Sequence, residues 1–249
     1  MLIVIAILAV IAALLFPVIT SAKASAKQAN CAAEKHQIGL ATSLYLADYD
    51  GSFPSLTSAF VSSSNPLPAR TLYFSWMLGI GPFARDPLIY RCPSAVNNDR
   101  IFPFVVDGQE VLLPERQTGF NQFVAPDAES ADFRGAINES VVGQPSLLPI
   151  IADSAYVDFD SPDYIILANY DSPLLDADSG AFESAPNLAT MRTDPNLARH
   201  NGGSTIIFAD SHTKWRSQGS MGPDPSRSSY PFAQSFLLPV DVADNRITP

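Results

Sequence analysis

Charge is what the first 22 residues lack: from Met1 to Ala22 there is no Asp, Glu, Lys or Arg, and only Thr20 and Ser21 are polar. A run longer than the roughly 18 apolar residues that mark a spanning segment argues against the alternative, a buried helix of a soluble core, which rarely lacks a polar face entirely. At about 1.5 Å per residue the segment reaches roughly 33 Å, enough to cross a hydrocarbon core. A cleaved signal peptide fits less well, because its apolar region spans about 7 to 15 residues behind a basic start. No Lys or Arg precedes this run. Residues 1–22 therefore read as the transmembrane or assembly part of an N-terminal helix, and residues 23–249 as one globular head.

Basic residues are also scarce. Fifteen Lys and Arg stand against 25 Asp and Glu, a net charge of −10, and Lys23, Lys27 and Lys35 form the one basic cluster. Such a surface repels phosphates, so no nucleic-acid partner is expected for the head. Catalytic signatures are missing too: there is no G-x-S-x-G, no H-E-x-x-H and no phosphate-cradling glycine loop, and no enzyme is expected. The two cysteines, Cys31 and Cys92, belong to no C-x-x-C pair, which argues against a thiolate zinc site. In an exported head they are expected to form a disulfide closing a loop of about 60 residues, worth roughly 4 kcal/mol in the chain-entropy model. Two buried free thiols are the alternative. His36, five residues after Cys31, falls on a different helical face and forms no thiol–imidazole pair with it.

Helical propensity persists beyond the apolar run. Ser21 to Gln37 has no Gly or Pro and is rich in Ala, Lys, Gln and Glu. Ala33, Gln37, Leu40, Leu44 and Ala47 recur at helical spacing, with Ile38 and Tyr45 beside them, and read as the face that packs on the head. Pro17 predicts a kink or opened turn, and Gly51 and Pro54 predict the end of the helix. Further on, residues 55–70 read as loop, 71–79 as a short helix and YRCPS as a turn. IFPFVVDGQEVLL reads as a hairpin about Asp107-Gly108. Leu147 to Ala152 reads as a buried strand ending at Asp153, and 158–198 as a long polar loop that could vary in what it recognises. STIIFADSHTKWR reads as a second hairpin, followed by a Pro-, Ser- and Gly-rich tail. Twenty-one prolines favour short elements joined by turns, so the fold class is α+β: a long helix packed on an antiparallel sheet with long loops. Tyr73, Phe74, Trp76 and Trp215 read as head core.

Three blocks resemble bacterial type IV pilin-like and pseudopilin-like proteins that carry a prepilin-type N-terminus and a processing-associated C-terminal motif. The first is MLIVIAILAVIAALLFPV continued by CAAEKHQIGLATSLYLADYDGSFP. The second is YRCPS. The third begins with Arg199 and His200, runs through nine residues to Asp210, and continues with Ser211, His212, Lys214 and Trp215. It is similar to the family's His, nine residues, Asp-Gly, then His-Val-Lys-Trp. The resemblance implies a single-pass membrane protein with its head on the extracytoplasmic side. It also implies assembly into a pilus or secretion pseudopilus through the N-terminal helix, with membrane lipid and copies of itself or related pilins as partners. The family's leader, its Gly and Phe at the cleavage site and its Glu five residues into the mature helix have no counterpart here. Met1 falls just after where that Glu stands, so the chain is expected to begin late, with prepilin peptidase a partner only if upstream residues exist. Lys23, Lys27 and Lys35 would by themselves place their flank in the cytoplasm, and the family places it outside. Where the motif has Gly, this sequence has Ser211, which implies a different turn geometry or modest strain.

Two ion sites are candidates, although no cofactor is required. His200, Asp210, His212 and Asp153 offer nitrogen and oxygen ligands for zinc or another divalent ion. His212 should not share a face with Asp210 across a turn. The favoured alternative is that His200 and Asp210 hydrogen-bond each other or backbone groups to hold the hairpin. Asp48, Asp50 and Ser52 form an oxygen-rich cluster that suits calcium but has half an EF-hand's spacing, and helix termination explains it equally. Asp171 to Asp178 is a similar stretch. The alternative function is a membrane-anchored ligand- or metal-binding head, or a hydrolase, that does not polymerise.

Overall fold

The computed structural model describes residues 2–55, 75–84, 86–95, 101–106, 109–114, 117–122, 124, 137–155, 158–159, 165, 168, 191, 194 and 196–221. The first element, α1 (Leu2–Asp48), is a single helix of 47 residues, roughly 70 Å long at the usual rise. Its helical assignment runs through Pro17, whose ring nitrogen has no hydrogen to donate. Thr20 Oγ1 donates to the Pro17 carbonyl at 2.9 Å. Its end is as expected. Asp50 and Gly51 take positive φ (52° and 75°), and the Gly51 amide donates to the Leu46 carbonyl at 2.7 Å, the 6→1 bond of a Schellman cap.

Only the second half of α1 is covered. The apolar side chains from Ile3 to Ile19 lie in the open, whereas Cys31, Lys35, Ile38, Ala41, Thr42 and Leu46 are buried. The stripe expected to pack, Ala33, Gln37, Leu40, Leu44 and Ala47, faces solvent instead, with Leu40 51% and Leu44 55% exposed. The packed face is rotated because it contains a lysine and a threonine, which a purely apolar pattern passes over.

A short helix α2 (Ser75–Ile80) and two 3-10 turns (Gly81–Phe83 and Pro87–Tyr90) lead to the hairpin of β1 (Ile101–Val106) and β2 (Gln109–Pro114). This hairpin stands as its own two-stranded sheet, paired from Ile101↔Pro114 to Val106↔Gln109, and its Asp107-Gly108 turn lies outside the described residues. The main sheet contains β3 (Thr118–Asn121), β4 (Pro149–Asp153), β5 (Asp158–Phe159), β6 (Gly203–Phe208) and β7 (Thr213–Ser217), in the order β5-β3-β4-β6-β7. All pairings are antiparallel except β3 with β5. The expected loop 158–198 thus opens with a strand; most of it, like Tyr73, Phe74 and the stretch Asp171 to Asp178, lies outside the described residues. The expected tail begins with a further helical turn, α3 (Gln218–Met221).

Every residue of β4 and β6 is buried, as both faces of the sheet centre are covered. Trp76, Tyr90 and Phe120 meet in the core next to Ile38 and Ile151, with ring centroids 5.4 Å and 5.6 Å from Trp76. Helix and sheet approach closely at Gly39, where an added Cβ would stand 2.9 Å from the Ser211 carbonyl and 3.2 Å from Ile207 Cγ2. A side chain there would push α1 off the β6–β7 hairpin. This close approach holds the polar face of α1 against the sheet.

Candidate functional site

Where α1 crosses the sheet, charged groups meet inside the head. Asp153 ends β4, is fully buried, and points its carboxylate at four donors. Lys35 Nζ from α1 is 3.3 Å from Oδ1 and Arg199 Nη1 is 3.7 Å from the same oxygen, while His200 Nε2 is 3.0 Å from Oδ2. The Thr205 amide on β6 donates to Oδ2 at 2.9 Å. Lys35 Nζ also donates to Thr118 Oγ1, whose hydroxyl passes on to the Tyr90 carbonyl at 2.9 Å. Arg199 reaches three carbonyls: Gln117, Ser154 at 3.0 Å and Ala168 at 2.8 Å. One carboxylate thereby ties α1, β3, β4 and β6 together.

The turn before β6 makes this convergence possible. His200, Asn201 and Gly202 all adopt positive φ (50°, 61° and 82°), and the Gly203 amide closes the turn on the Arg199 carbonyl at 2.8 Å. Left-handed backbone at a non-glycine residue costs on the order of 1–3 kcal/mol, so the contacts of His200 must offset it. Trp215 secures the outside of the turn: its Nε1 donates to the His200 carbonyl at 3.0 Å, and its ring lies where a Cβ on Gly203 would be, 2.6 Å away. Trp215 is 39% exposed, so it is a cover on this turn and not the core residue expected.

Burial works to raise the Asp153 carboxyl, but Lys35, then His200 and Arg199, outweigh it and hold the group well below the usual carboxylate range. Burial draws the Lys35 ammonium below its ordinary value against the pull of Asp153, and draws Arg199 down to about 10, where it stays charged. The half-buried Glu34 carboxyl beside them is raised, chiefly by burial.

The Cys31–Cys92 disulfide lies against this knot, with Cα atoms 5.6 Å apart across a sequence separation of 61. Cys92 Sγ is 3.4 Å from His200 Nε2, and the Cys92 amide donates to Gln117 Oε1 at 2.6 Å. The expected pairing is therefore present, joining the midpoint of α1 to the YRCPS turn.

No family model, curated protein or solved structure matches this chain significantly.

The other expected site residues divide differently from the sequence reading. His200 does not reach Asp210: it is buried on Asp153, while Asp210 is exposed in the β6–β7 turn. Asp210 instead accepts from His212, with Nδ1 2.5 Å from Oδ1 and the His212 amide at 3.2 Å, because the chain folds back over the aspartate. The His212 ring stacks on Phe208 at 4.3 Å. Ser211 takes the positive φ (67°) that a glycine would take there, and its hydroxyl is hydrogen-bonded to that of Ser43 on α1. A metal set of Asp153, His200 and Asp210 is thus divided between two places. The carboxylate of Asp153 is already neutralised by two cations, which oppose a divalent ion. Asp48 and Asp50 are exposed at the cap of α1, and the Asp50 carbonyl is taken by Asn138 Nδ2 at 2.6 Å.

Lys35 was missing from the sequence reading as a site residue, as were Gln117, Thr118 and Thr205. The available signal was a lysine in register with Cys31 and Ile38 on one helical face. Asp153 and Lys35 are inaccessible and His200 is 5% exposed, so the cluster ties helix and sheet together inside the head. Its chemistry is that of a fastener.

Proposed function

We propose that the protein is a non-enzymatic structural subunit of a type IV pilus-like or secretion-pseudopilus-like filament. Its apolar half-helix resides in a membrane before assembly and packs against copies of itself afterwards. One observation carries this reading: a helix long and apolar enough to cross a membrane continues unbroken into the head and is bolted there by a disulfide and a buried ion-pair knot. A simple anchor needs no rigid junction with its head. An open-ended assembly does, because the same heterologous contact must repeat with one geometry from subunit to subunit. The exposed side chains from Ile3 to Ile19 supply an apolar surface that lipid or neighbouring helices would cover. The head on the extracytoplasmic side fits the disulfide, which persists in oxidising compartments.

Paired cysteines on opposite faces of the apolar half, Ile5→Cys with Leu14→Cys, test the reading in the producing cell. A bifunctional maleimide should then yield ladders of trimers and larger species. Monomers and dimers alone would exclude a repeating assembly and favour a membrane-anchored head that does not polymerise.

A further inference from the structure

We propose that Cys31, Cys92 and His200, when the two cysteines are thiols, form a buried three-coordinate site for a soft monovalent metal ion of the copper(I) class. This goes beyond the filament reading and does not depend on it. The two sulfurs and a ring nitrogen of His200 all lie within 4.8 Å of one another, and all three residues are buried. Among the described residues they are the one group of three or more metal-ligating side chains brought together. They come from α1, from the YRCPS turn and from the left-handed turn before β6, so the fold builds the site without any local spacing motif.

The donor set selects the ion. Two thiolates and an imidazole suit soft d10 metals, and two sulfurs each about 2.3 Å from one ion stand roughly 4 Å apart, so the sulfurs bonded in this structure must part to hold it. Zinc prefers a fourth ligand. The adjacent carboxylate is Asp153, but its Oδ2 already accepts from the Thr205 amide and faces the same His200 nitrogen that faces Cys92. His200 Nδ1 is buried with no hydrogen-bond partner among the described residues, and Nε2 is the nitrogen that faces Cys92 Sγ, so metal binding through Nε2 would exchange its contact with Asp153 for the ion. Charge points the same way. Among the fully buried groups, two thiolates and the Asp153 carboxylate against Lys35 and Arg199 leave one negative charge, which one monovalent cation neutralises, while the half-buried Glu34 carboxyl stands at the margin of this set.

A newly made chain carries both cysteines as thiols. Taking up one ion releases their two protons and transfers no electrons. Disulfide formation abolishes the site: the sulfurs bond to each other, their two electrons pass to an oxidising disulfide of the thiol-oxidase class, and the ion leaves. Metal-bound and cross-linked forms are then alternative states of one cysteine pair.

Copper(I) titration of the full chain in detergent micelles, phosphine-reduced and oxygen-free, in competition with a chromophoric copper(I) chelator, tests this. One ion per reduced chain is expected, and none per oxidised chain. His200→Asn should weaken binding by more than the roughly 10–100-fold that loss of a mere outer-shell partner causes. Because that variant could lose its fold, X-ray absorption at the copper edge of the reduced wild-type chain provides a second readout, with two sulfurs and one nitrogen expected. Sulfur-only coordination, binding unaffected by His200→Asn in a folded chain, unfolding of the reduced head, or preference for zinc over copper(I) would each overturn the assignment.

Discussion

The two halves of α1 invert the usual rule for a helix. Its first half is apolar and uncovered, with Ile3 75% exposed, whereas its second half buries a lysine to 1%. Burial in this helix follows partners and not hydropathy. Lys35 goes inside because Asp153 on β4 and Thr118 on β3 meet it, while the side chains from Ile3 to Ile19 are exposed, with no partner among the described residues. The uncovered half is an exposed apolar surface, and the covered half is a joint.

Removing the partner should break the contrast most severely. Asp153→Asn leaves Lys35 and Arg199 as buried cations without a counter-charge, and should destabilise the head by about 3–5 kcal/mol in denaturant unfolding. A loss under about 1 kcal/mol would mean that the knot does not hold the joint. The same carboxylate makes stability depend on pH. Its folded pKa is depressed, so the unfolded chain binds more protons as pH falls, and the contribution is fully present above about pH 5 and lost as pH drops below roughly 4. Urea midpoints measured from pH 6 to pH 2 should fall steeply in the wild type and less in Asp153→Asn.

Next in size is the covalent part of the joint. Cys31→Ser should lower stability by about 2–4 kcal/mol, and a wild-type head that is no less stable after reduction would contradict it. Gly203→Ala sets a Cβ against the Trp215 ring and the Arg216 carbonyl, and is expected to cost about 1–3 kcal/mol in thermal unfolding. Lys35→Met sharpens the comparison: Asp153 keeps Arg199, His200 and the Thr205 amide, so the cost should stay near 1 kcal/mol, far below that of Asp153→Asn. The smallest effect falls on the open face. Leu44→Glu should change head stability by less than about 0.5 kcal/mol, and a larger loss would show that this face is covered after all.

The length of α1, its glycine cap, both hairpins, β4 and the disulfide were legible in the sequence, because each depends on residues close in the chain or on a count of two cysteines. The packed face of α1 was not. Apolar spacing selected Leu40 and Leu44, which are exposed, since the real face mixes Cys31, Ile38 and Leu46 with Lys35 and Thr42. A buried lysine is intelligible only once its carboxylate is known, and β4 brings Asp153 from a distant part of the chain. The four-residue strand Thr118–Asn121 was invisible for a related reason: it gains its stability from pairing with β4 and β5 and has little preference of its own. His200 was grouped with both Asp153 and Asp210, and it meets only the first of them. The strand β6 carries His200 and Asp210 apart.

The position of the disulfide also determines how the molecule bears tension. A pull entering through the apolar half of α1 and directed toward the end of the chain reaches Cys31 and crosses the sulfur bridge to Cys92, bypassing the 61-residue separation between them. That intervening stretch, including the remainder of α1, is mechanically short-circuited. The knot around Asp153 lies directly behind the bridge, where Lys35, Arg199 and His200 resist the separation of helix from sheet. The head is thus gripped near the middle of its long helix, and a load on one end is shared by a covalent bond before any strand is asked to part from its neighbour.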